Sequence, residues 1–170
     1  MRLLFDMTTP EWWQRGPVPG VPALLQPVAH VLLQLRDDVP TIVSALDADG
    51  WNARPGGVAP IAFHVRHIDG VFDRMFTYAM GEPLSDAQFE ALGAEEEPVR
   101  TEDIPELLRL FYAGMERRLD DLRTIDESLL TQTRTIGRAQ LPTTMLGCLF
   151  HAAEHGMRHF GQLSVTARVL

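Results

Sequence analysis

The chain has 170 residues, 45% of them hydrophobic and 22% charged, the balance of one ordinary globular domain and far from that of a disordered chain. Its 15 basic against 23 acidic residues give a formal net charge of −8, so the phosphate-neutralising surface on which DNA or RNA binding depends is missing. A single cysteine, Cys148, permits no intrachain disulfide and fits a reducing compartment, and no apolar run approaches the roughly 20 residues of a membrane span, so a cytoplasmic protein is expected.

Residues 1–22 contain Gly16, Pro17, Pro19, Gly20 and Pro22 and are expected to form an irregular arm that packs Trp12 or Trp13 onto the body. Met1 to Phe5 is too short an apolar run for a secretion signal, and Asp6 interrupts it. The remainder is expected to form one domain. From Val28 to Leu46 apolar residues recur at helical spacing. Pro27 suits a first turn, whereas Pro40 is expected to kink or divide this first helix. Asp47 to Gly57 is expected to be a loop.

A second long helix is expected from near Pro60 to Met80, stopped by Gly81-Glu82-Pro83. A short turn of helix over Ser85 to Leu92 and a solvated acidic connection, Glu95-Glu96-Glu97-Pro98, follow. Asp103 to Ile125 reads as a third long helix, with Leu107, Leu108, Phe111, Met115, Leu119 and Leu122 on one stripe. Leu130 to Leu141 suits an extended crossing or short hairpin. Pro142-Thr143-Thr144 offers the cap of a last helix reaching almost to Leu170. Four long amphipathic helices without strong strand patterning predict an all-α four-helix bundle, and the extended links suggest crossover connections.

Five of the six histidines fall in two groups, His64 with His67 on the second long helix and His151, His155 and His159 on the last. On the last helix His151, His155, His159, Gln162 and Thr166 are separated by steps of four, four, three and four, which places them on one face. Side chains four apart have Cβ atoms roughly 5–6 Å apart, the separation two imidazoles need to converge on one ion. The second helix presents His67, Val71 and Tyr78 near one line with His64 beside it, so an imidazole there can face His155 and His159 across the core. Three neutral imidazoles would hold a divalent ion and leave a position open for water or substrate. The bland alternative is a set of ordinary core and surface histidines.

Phe63-His64-Val65-Arg66-His67-Ile68 with the later Gly81-Glu82-Pro83-Leu84-Ser85, and the ending His151-Ala-Ala-Glu-His155-Gly-Met-Arg-His159-Phe-Gly161-Gln162, resemble the DinB/YfiT-like proteins. The resemblance implies one divalent ion, zinc or nickel, bound by His67, His155 and His159, with His64 the second choice on its helix. It further implies a homodimer acting on a small-molecule substrate. Members of the family include isomerases and transferases that use a low-molecular-weight thiol such as bacillithiol or mycothiol. The expected activity is accordingly a metal-dependent S-transferase, with a metal-dependent hydrolase or a non-catalytic, stress-related binding bundle as alternatives.

Around this set, Glu154 and Asp69 are candidates for orienting a ligand ring or are surface charges. Arg158 would meet an anionic substrate or form an interhelical ion pair. His151 is expected to be structural, and Cys148 a buried structural thiol.

Overall fold

A computed structural model describes residues 10–170; the segment Met1 to Asp6, read above as too short for a secretion signal, lies outside them. The described part is mostly helical: α1 (Gln26–Val43), α2 (Ala48–Asn52), α3 (Ile61–Ala79), α4 (Asp86–Gly93), α5 (Ile104–Thr124) and α6 (Met145–Val169), with an antiparallel hairpin of β1 (Thr133–Ile136) and β2 (Leu141–Thr144) before the last helix. α3 packs most extensively on α6, and α1 and α5 flank the pair, α1 touching both α5 and α6 and α5 also touching α3. The stripes predicted from spacing meet in this interior. Leu32, Leu35, Ile68, Phe72, Phe111, Met115, Leu122 and Leu149 are fully buried, each stabilising the fold by about 1.5–3 kcal/mol relative to an exposed position. No helix among the described residues is long and apolar enough to cross a membrane.

The ends of the helices follow local chemistry. Thr144 caps α6, its hydroxyl accepting from the Gly147 amide at 3.0 Å, and Ser85 caps α4 in a reciprocal box with Gln88. Pro27 and Pro105 sit in first turns, where a missing N–H costs nothing. In the arm, Trp12 is the tryptophan that packs, its indole donating to Asp37 at 2.8 Å, while Trp13 is exposed.

Three expectations need correction. Pro40 lies inside α1 without dividing it, and the helix ends at Val43, short of Leu46. The expected loop at 47–57 contains α2, because Asp47 caps it and Trp51, fully buried, anchors it to the core. The acidic connection is not wholly solvated. Glu96 and Glu97 are exposed, but Glu95 is buried.

The reason for that burial is how the connection is tied down. Asn52 brackets Val99, its amide donating to the Val99 carbonyl at 2.8 Å and its oxygen accepting from the Val99 amide at 2.9 Å. Arg66 on α3 bonds the Glu97 carbonyl. Gln88 ties α4 to α3 through Asp73 and Thr77. Held from α2, α3 and α4, the segment folds over the middle of α3 and turns one carboxylate inward.

Candidate metal centre

His67 projects from α3, and His155 and His159 from successive turns of α6. Because α3 and α6 form the closest-packed helix pair, the three imidazoles converge, with one nitrogen from each within 4.8 Å of the other two. His67 Nε2 and His155 Nε2 are 3.0 Å apart. The His159 ring centre lies 4.3 Å from that of His67 and 4.6 Å from that of His155. Zinc–imidazole bonds of about 2.0–2.1 Å separate tetrahedral ligand nitrogens by roughly 3.4 Å, so small side-chain rotations suffice to seat an ion.

Two further observations bear on the fit. All three rings are only partly buried, leaving the cluster approachable from solvent. The remaining ring nitrogen of His155, Nδ1, is buried with no hydrogen-bond partner, an arrangement native proteins rarely leave unexplained. The three-imidazole donor set suits a divalent transition-metal ion.

The electrostatics favour the neutral form, which a ligand must have, in both α6 rings. Burial, and then the neighbouring imidazoles of His67, His155 and His64 with the Arg158 guanidinium, pull His159 down to about 4. Burial followed by proximity to His67 and His151 lowers His155 as well.

Behind His67 stands a group that sequence reasoning missed. The Glu95 carboxylate accepts from His67 Nδ1 at 2.6 Å through one oxygen and from Arg74 Nη1 at 2.8 Å through the other. Burial opposes its ionisation, but these two bonds outweigh burial and hold the carboxyl below its usual range. In a neutral imidazole, a proton on the Nδ1 that faces Glu95 leaves Nε2, the nitrogen turned to His155, bare. The site's orienting carboxylate thus comes from neither sequence candidate. Asp69 instead faces Arg118 at 3.3 Å, with burial raising its pKa. Glu154 serves the exposed His151, at 2.9 Å, and Arg158, at 2.5 Å.

The Arg158 pair consequently lies within α6 and not between helices. His151 is solvent-facing, although with Glu154 and His155 it forms a second, more exposed group of potential donors. His64, the second choice for a ligand on its helix, is buried and engages His159 from the side. Phe63 stacks on His67 with ring centres 5.0 Å apart. Cys148 is a free, fully buried thiol whose pKa burial raises.

Residues 31–163 match the family model of the DinB superfamily. No curated protein matches the chain.

Proposed function

The chain belongs to the DinB superfamily, and on that premise we propose that it is a metal-dependent S-transferase in which His67, His155 and His159 hold one divalent ion, zinc or nickel, and an external low-molecular-weight thiol is the nucleophile. The observation that carries this reading is the convergence of three imidazoles from two helices, partly open to solvent. When bound, the ion supplies Lewis acidity that lowers the pKa of a coordinating thiol.

The protein's own groups do the rest. Glu95 fixes the His67 tautomer and is itself fixed by Arg74. Phe63 covers one face of the His67 ring. An external thiol is favoured because Cys148 is buried, with a raised pKa, and is therefore a poor nucleophile. We further place the molecule in the cytoplasm as a homodimeric four-helix bundle with crossover connections, acting on a small-molecule substrate such as a bacillithiol or mycothiol acceptor.

A screen of zinc- and nickel-loaded protein with bacillithiol, mycothiol and simpler thiols against electrophilic acceptors tests the reaction. Thiol-dependent turnover lost in His159→Ala supports the transferase. Zinc bound stoichiometrically but without turnover toward any thiol would replace it with a non-catalytic binding role, and thiol-independent ester or amide cleavage would replace it with a hydrolase.

A further inference from the structure

His64 lies one helical turn before His67, in the first turns of α3, and is only 1% exposed. Its Nδ1 is 3.1 Å from Nδ1 of His159 across the α3–α6 interface, with ring centres 5.3 Å apart. Despite that closeness it stands outside the group of three whose nitrogens approach one another. From this geometry we infer that His64 is a positioning residue, which holds His159 in the tautomer that leaves Nε2 bare toward the metal cluster.

The inference rests on the proposal that His67, His155 and His159 are ligands, and it follows from counting hydrogens. Two facing nitrogens at hydrogen-bond distance share one hydrogen. A neutral imidazole has one N–H and one bare nitrogen. If His64 were the donor, His159 would carry its proton on Nε2 and present a hydrogen to the cluster, where it could not coordinate. If His159 is the donor, its Nε2 is bare, and His64 carries its own proton on the nitrogen turned away from His159.

The ligand role proposed for His159 selects the second arrangement, because the nitrogen it turns to the ion must be bare and its other nitrogen, Nδ1, is the one that faces His64. α3 and the segment folded over it thus act on two ligands from behind by the same logic, Glu95 on His67 and His64 on His159.

The test is nitrogen-15 NMR of the imidazoles in metal-free protein, paired with zinc affinity measured by competition with a chromophoric chelator. Wild type should show His159 protonated on Nδ1 and His64 on Nε2. His64→Leu removes the acceptor, and should mix the His159 tautomers and weaken zinc binding roughly 10- to 100-fold. His64→Asn, whose side-chain oxygen accepts near the position of Nδ1, should restore most of both signals, an outcome a purely space-filling role would not produce. A wild-type His159 protonated on Nε2 overturns the inference without need of any variant. Equal zinc affinity in wild type and a folded His64→Leu overturns it alone, whereas a wild type that binds no zinc overturns the metal reading beneath it.

Discussion

Glu95 is the residue that most separates a loose set of histidines from a prepared site. It takes one hydrogen bond from His67 and one from Arg74, and both side chains are largely withdrawn from water. Glu95→Ala leaves the Arg74 guanidinium without its partner in a nearly buried position, so a loss of about 3 kcal/mol is expected in urea denaturation. Glu95→Gln preserves shape but not charge, and zinc affinity should fall roughly 10- to 100-fold. Unchanged affinity in that variant would mean that Glu95 serves only to fold the connection. The sequence makes the three imidazoles legible because their spacing is a property of helices. It conceals Glu95, since in Glu95-Glu96-Glu97 nothing local distinguishes the inward carboxylate from its two solvated neighbours. That distinction arises from bonds made by Asn52 and Arg66, both distant in sequence.

At the scale of elements, the site depends on how closely α6 lies against α3. Gly156, next to His155, has no room for a side chain. A Cβ there would stand 2.7 Å from Phe72 Cε2 and 3.1 Å from Leu35 Cδ1, so α6 touches both α3 and α1 through its backbone. Gly156→Ala should destabilise the protein by about 1–3 kcal/mol through overpacking. By pushing α6 outward it should also weaken zinc binding; wild-type stability and affinity together would show that the helices yield easily. The long helices were readable from period alone, and so was the α6 cap at Thr144. What escaped is short or tertiary in origin. α2 spans five residues, too few for a periodic signal, and is fixed by burying Trp51. The continuity of α1 past Pro40 reflects packing, with Val39, Ile42 and Val43 all buried around the proline.

For the whole molecule, ligation and folding should be coupled through protons and through metal. His64 and His159 fall from 6.5 to about 4 on folding, chiefly by burial. Between those values the unfolded chain binds protons that the native metal-free protein does not. Stability is therefore fully present above pH 6.5 and declines as pH falls toward about 4. Urea midpoints of metal-free protein should drop across that window, and a flat profile would contradict the neutral state of these rings. Zinc at a hundredfold excess over its Kd should raise stability by about 2.7 kcal/mol, seen as a rise of several degrees in Tm that a chelator reverses.

The most direct measurement is metal content by plasma mass spectrometry of untagged protein, purified and reconstituted beside His67→Ala and His155→Ala. The geometry predicts about one equivalent of zinc or nickel in wild type and a sharp fall in both variants, each of which removes one side of the α3–α6 cluster. Wild type that stays metal-free after reconstitution, or variants that retain a full equivalent, would contradict the account and return these histidines to a structural role.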